Sequence, residues 1–215
     1  MTTPQQQLQQ FLTRSKIIPS VEILDEFDAI PLMDSLIEGG VQVVEVNLRT
    51  QAAFESINII KKRLPSLIVG AGNIKTPDML EKAIDAGADY GTSPGNTERL
   101  LNAVTLKHFP FLAGVASGSD IMRALECGHN VQRLCPAVAL GGTKTLKYLH
   151  ASFSEVLFSP AGGINDDNSL EFLLLPNVCS VGGSWIVRSH DTYERKWPKV
   201  TERTKFAFSN IAKAS

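Results

Sequence analysis

Cysteine is scarce in this chain, with three residues, Cys127, Cys135 and Cys179, among 215. Their odd number argues against a disulfide framework, and their spacing is not that of a thiolate metal site. The four histidines (His108, His129, His150 and His190) are scattered and lack the spacing of a metal triad. No metal or other cofactor is expected. Long apolar runs are also missing, and none reaches the roughly eighteen residues of a membrane span. The opening Met-Thr-Thr-Pro-Gln-Gln-Gln has neither the basic nor the apolar region of a signal peptide. Charge of one sign is not in excess: the net charge of −1 gives no reason to expect nucleic acid or an anionic membrane as partner. These absences point to a cytoplasmic protein.

What is present is the composition of a globular chain, 43% hydrophobic and 20% charged, long enough to bury a substantial core. No linker or low-complexity stretch divides it, so residues 1–215 are expected to form one domain. The first element is a helix with a legible start. Thr3 can cap it, Pro4 suits its first position and Gln6 can complete a capping box. Leu8, Phe11 and Leu12 then share one face.

Beyond it, short β-rich runs alternate with amphipathic stretches of helical length. Eight runs stand out, at about 17–24, 41–48, 67–71, 90–93, 109–116, 131–136, 156–160 and 178–181. The intervening stretches include 25–38, 51–63, 76–86, 97–106 and 119–127, and residues 193–214 read as a closing helical region. Strand candidates separated by helices imply a parallel sheet with crossovers. Eight of them predict a single closed (β/α)8 TIM barrel with an N-terminal helix. A doubly wound open sheet is the alternative, and it leaves some of the runs unused.

In such a barrel the polar machinery sits at the C-terminal ends of the strands. The second run ends in Glu45, Asn47 and Arg49, and period-two alternation puts all three on the side of Val43, opposite Val44, Val46 and Leu48. A carboxylate, an amide and a guanidinium facing one interior suggest a polar site, although a structural ion pair at the barrel mouth would read the same way. The third run ends in Gly70-Ala71-Gly72-Asn73, where glycine permits close approach and Asn73 offers both a donor and an acceptor. Thr92-Ser93-Pro94-Gly95 ends the fourth and fits either a site wall or a turn. The seventh and eighth runs lead into Ala161-Gly162-Gly163 and Gly182-Gly183-Ser184. Loops after the last two barrel strands frequently hold phosphate on backbone N–H groups, and two glycine pairs at those strands predict such a site. In the sixth run Cys135 lies two residues beyond Arg133, where a nearby cation could lower the thiol pKa, but packing is the better reading.

With these residues laid out, the chain resembles the 2-keto-3-deoxy-6-phosphogluconate / 4-hydroxy-2-oxoglutarate aldolases. The similarity runs through Val44-Glu-Val-Asn-Leu-Arg-Thr50, Val69-Gly-Ala-Gly-Asn73, Ser93-Pro-Gly95, Cys135-Pro-Ala137, Gly141-Gly142, Pro160-Ala-Gly-Gly-Ile164 and Val181-Gly-Gly-Ser-Trp185. The resemblance implies a (β/α)8 barrel, usually a homotrimer, that cleaves 2-keto-3-deoxy-6-phosphogluconate, or 4-hydroxy-2-oxoglutarate, to pyruvate and an aldehyde. It implies that Glu45 relays protons and Arg49 binds the substrate carboxylate. Pro94 then lines the site, and Gly162, Gly163, Gly183 and Ser184 hold phosphate. The family attacks the ketone with a lysine, in the pattern Phe-Lys-Phe-Phe-Pro-Ala. Here that position is Arg133, which stays protonated and cannot form an imine. Asn73 and Ala161 replace threonines lining the pocket, and Cys135 replaces a phenylalanine beside the imine. Three readings follow. The chain is an aldolase using another lysine (Lys75 or Lys144) or no imine; or an enzyme in which Arg133 polarises a 2-keto acid while Glu45 moves the proton; or a non-catalytic binder of a phosphorylated sugar acid.

Overall fold

The computed structural model describes residues 2–212. Helix α1 (Pro4–Thr13) starts with the expected capping box: Gln6 N–H donates to Thr3 Oγ1 at 3.2 Å, and Thr3 N–H donates to Gln6 Oε1 at 2.9 Å. Strand β1 is Ile17–Ile18 and β2 is Ser20–Val21; then come α2 (Ala29–Glu38), β3 (Val43–Asn47), α3 (Ala53–Arg63), β4 (Ile68–Gly72) and α4 (Pro77–Asp85). The alternation continues through β5 (Tyr90–Thr92), α5 (Glu98–Leu106), β6 (Phe111–Val115), α6 (Gly118–Glu126), β7 (Val131–Leu134) and α7 (Gly142–Ser152). The chain closes with β8 (Leu157–Phe158), α8 (Ser169–Leu173), β9 (Val181–Gly182), α9 (Ser189–Tyr193) and α10 (Trp197–Ala212). The closing helical region is occupied by α10, which takes Pro198 into its first turn, where a missing N–H costs nothing. Residues 213 and 214 of that expected region lie outside the described residues.

The closed eight-stranded TIM barrel is corrected. Seven strands, β2 to β8 in sequence order, form one parallel sheet, and β1 pairs only with β9 in a separate two-stranded sheet. The fold is therefore a curled (β/α) barrel rather than a closed ring of eight strands. Pro19 is the local cause. It has no N–H to give and splits the first expected run in two. Ile17–Ile18 registers on Val181–Gly182, while Ser20–Val21 registers on Glu45–Val46. At the other edge the final strands are two residues each, and an isolated Phe158–Val178 bridge together with a Gly182 N–H bond to the Pro160 carbonyl at 2.9 Å links β8 toward β9.

Two apolar cores sandwich the curled sheet. Val44 and Val46 point outward into the larger core under the helices, while Val43 points inward with Ile18, Ile68, Tyr90, Leu112 and Val131. The expected alternation of β3 therefore holds. Helix α1 plugs the N-terminal end of the interior with Leu8 and Leu12, both fully buried. Gln5 fixes that plug: its amide donates to the Phe111 carbonyl at 3.0 Å, and its carbonyl accepts Val131 N–H at 2.9 Å. With that end sealed, the opposite end is left for a ligand.

Candidate active site

A cavity of about 390 Å³ opens at the C-terminal ends of the strands, a volume suited to a small ligand. Beneath its floor lies Tyr90, fully buried, with its hydroxyl unpartnered; burial pushes that phenol well up, and Glu45 adds to the shift. Above it, Glu45 from β3 and Arg133 from β7 meet across the interior. Nη1 of Arg133 donates to Glu45 Oε1 at 2.9 Å and lies 2.8 Å from Oε2. It also reaches Thr92 Oγ1 at 3.3 Å. The residues are 2% and 7% exposed, so water screens the pair poorly. Burial pulls the Arg133 pKa down, but the charge of Glu45 and its hydrogen bond more than reverse this, and the net shift is upward. Arg133 is a fixed cation.

Glycines make room for this pair. Glu45 registers beside Gly70 and Asn47 beside Gly72. A Cβ on Gly72 would lie 2.6 Å from both Glu45 Oε1 and Asn47 Oδ1, and one on Gly70 would enter the Tyr90 ring. Asn47 donates to Ser20 Oγ at 2.9 Å and accepts from Asn73 Nδ2 at 3.0 Å. Asn73 adopts φ +64°, a left-handed conformation that asparagine tolerates, and this aims its amide across to β3. Arg49 stands at the rim, 2.8 Å from Glu22, in an exposed pair.

Pro94, Cys135 and Ala161 form walls of the cavity. Ser93-Pro94-Gly95 can pass over β6 because Gly114 carries no Cβ, which would fall 2.3 Å from the Ser93 carbonyl. Burial raises the Cys135 thiol pKa, and Arg133 only partly opposes it; the expected cation effect does not prevail. At the far end, Gly162 and Ser184 line the cavity, whereas Gly163 and Gly183 do not. Gly183 turns toward Ile17 and Ile186 of the larger core, and its N–H donates to the Ile18 carbonyl at 2.7 Å. Gly163 turns toward Val138.

Lys75 and Lys144 are exposed, and among the described residues no lysine lines this cavity. No cluster of three or more metal-ligating side chains occurs among them either. The sequence reading missed Glu22, Thr92 as a partner of Arg133, and Arg188, which lines the cavity beside Ser184. Thr92 and Glu22 both lie in expected runs, Glu22 two residues from the cavity-lining Ser20, whereas Arg188 lies outside every expected run.

A curled parallel β/α sheet with a polar pocket at the strand C-termini defines a barrel protein that receives a small ligand at that face. The profile of the KDPG and KHG aldolases matches residues 8–203, and the chain belongs to that family. It is 36% identical over 204 residues to the 2-dehydro-3-deoxy-phosphogluconate aldolase of Pseudoalteromonas atlantica, covering 95% of each chain. The KDPG aldolase of Legionella pneumophila, crystallised with pyruvate captured as a covalent carbinolamine, superposes with a TM-score of 0.90. It is 38% identical, over 96% of this chain and 98% of that one. The Zymomonas mobilis enzyme, solved with 3-phosphoglycerate, gives 0.88 at 34% identity over 94% and 95% of the two chains.

Proposed function

We propose that this chain is a carbon–carbon lyase that cleaves 2-keto-3-deoxy-6-phosphogluconate, or 4-hydroxy-2-oxoglutarate, to pyruvate and an aldehyde without a lysine imine. The observation that carries the reading is the buried Glu45–Arg133 pair in a cavity with no lysine in its lining among the described residues. A carbinolamine such as the Legionella enzyme forms with pyruvate requires a neutral amine, which an arginine does not supply. An arginine can instead hold negative charge on an oxygen.

Glu45 takes the proton of the C4 hydroxyl, and the C3–C4 bond breaks as C4 becomes the aldehyde. The electron pair of that bond moves onto C3 and the C2 oxygen as the enolate of pyruvate. Glu45 then returns the proton to C3. When Glu45 becomes neutral, Arg133 loses one anionic partner just as the enolate provides another, so the net charge around the guanidinium is unchanged. That exchange avoids a bare charge in a poorly solvated site. Arg49, Asn47 and Asn73 suit the substrate carboxylate end, with Pro94, Cys135 and Ala161 as walls and Gly162 and Ser184 toward the phosphate. By family resemblance the protein works in the cytoplasm as a homotrimer.

Pyruvate release from the phosphorylated substrate, coupled to NADH oxidation, tests the reading. Turnover in the wild type, abolished by Glu45→Gln, is expected. A second reading, binding without turnover, draws on the same pair, since each partner is already committed to the other. Thermal stabilisation by phosphorylated keto acids with no pyruvate released would favour that reading and end the lyase proposal.

A further inference from the structure

Three arginines line the cavity against two glutamates, and two of those arginines are committed. Arg133 is 2.8 Å from Glu45 and Arg49 is 2.8 Å from Glu22. The third, Arg188, is exposed at the wall beside Ser184, Ser189 and Gly162. Among the described residues, no carboxylate lies within ion-pair distance of its guanidinium.

The nearest acid in the chain, Asp191, is held by other groups. It is fully buried, its Oδ2 lies 2.7 Å from Arg203 Nη1, and His190 Nε2 lies 3.2 Å from its Oδ1. Asp191 also accepts the backbone N–H of Arg188 at 3.2 Å, and Arg203 donates to the Ile186 carbonyl at 2.7 Å. The Arg203–Asp191 clamp therefore fixes the backbone at 186–188 while leaving the Arg188 side chain unneutralised at the wall. Its neighbours add neutral donors: the Ser184 hydroxyl, and the N–H of Gly162, which accepts no Cβ because Pro136 Cα would lie 2.9 Å away.

We propose that Arg188 is a specificity-determining residue that reads a distal phosphate on the substrate. The inference rests on the lyase reading for the identity of the substrate. A phosphate dianion needs positive charge as well as neutral N–H and O–H donors, and a guanidinium supplies both the charge and a planar pair of donors. Among the described residues Arg188 is the one arginine of the lining without an ion-pair partner, so it gives that end of the cavity its surplus positive charge.

The test compares calorimetric binding of 3-phosphoglycerate and of glycerate, which differ by the phosphate alone, in the wild type, Arg188→Ala and Arg188→Lys. The expected result is that Arg188→Ala loses about tenfold or more affinity for 3-phosphoglycerate, with glycerate unchanged, and that Arg188→Lys lies between. An unchanged preference in Arg188→Ala overturns the role of Arg188 and leaves the lyase reading standing. Equal losses for both ligands also overturn it. A wild type that binds neither ligand removes the phosphorylated-acid site, and both readings fall together.

Discussion

Replacing Arg133 with methionine removes the cation but leaves Glu45 in place, 2% exposed, with no counter-charge at its carboxylate. Breaking a buried pair from one side costs about 3–5 kcal/mol, because the surviving ion stays desolvated. The lower end, about 3 kcal/mol, applies here, since Glu45 borders a cavity that water can enter. For a domain of this size that corresponds to a fall in Tm of roughly 6–12 °C. Glu45→Gln, which strands Arg133 instead, should cost a similar amount. The double variant Glu45→Gln/Arg133→Met removes both charges and should recover most of the loss, because an apolar or neutral replacement of a whole pair is often close to neutral. Urea titration of the four proteins gives the coupling energy directly. Two single losses under about 1 kcal/mol, or losses that simply add, would show that the two side chains do not depend on each other.

Two further outcomes follow from the buried groups. Burial lowers the His129 pKa to about 4, partly countered by the Phe111 carbonyl, so the folded protein holds this ring neutral. The unfolded chain binds the proton first as pH falls below about 6.5; stability is therefore full above that pH and declines as pH falls toward 4. The loss is roughly 3 kcal/mol at most, and His129→Gln should flatten the urea midpoint across that window; an unchanged slope would refute the assignment. Cys135 has a raised thiol pKa because it is buried, so iodoacetamide at roughly pH 8 should modify it more slowly than a free thiol. Peptide mapping reads the rate, and modification faster than that of the free thiol would mean Arg133 outweighs burial.

Much of the site was legible because strand geometry has a fixed period. Glu45 and Asn47 were assigned to the interior from alternation with Val44 and Val46, and the structure puts them there. The helix start at Thr3 was legible because capping is local chemistry. The closed barrel was not, because one prolyl residue redirects the pairing of the strand that contains it, and pairing depends on neighbours remote in sequence. The Glu45–Arg133 contact joins residues 88 apart, so the sequence could place both in one site without fixing the geometry of their contact. Glu22 shares the period-two face of Ser20 in the first run, while the loop residue Arg188 carries no periodic signal. Of the two expected glycine pairs, Gly162 and Gly182 line the cavity and Gly163 and Gly183 do not, since the direction a glycine faces depends on turn dihedrals that composition does not encode.

The central claim is that this pocket acts on a keto acid through fixed charge rather than an imine. Borohydride reduction in the presence of pyruvate, followed by intact mass and peptide mapping, tests it most directly, with Arg133→Lys treated in parallel. The account predicts no pyruvyl adduct on the wild type while pyruvate is still released from the phosphorylated substrate, and an adduct at position 133 in the variant. A wild-type adduct mapped to any lysine, including Lys75 or Lys144, would contradict it.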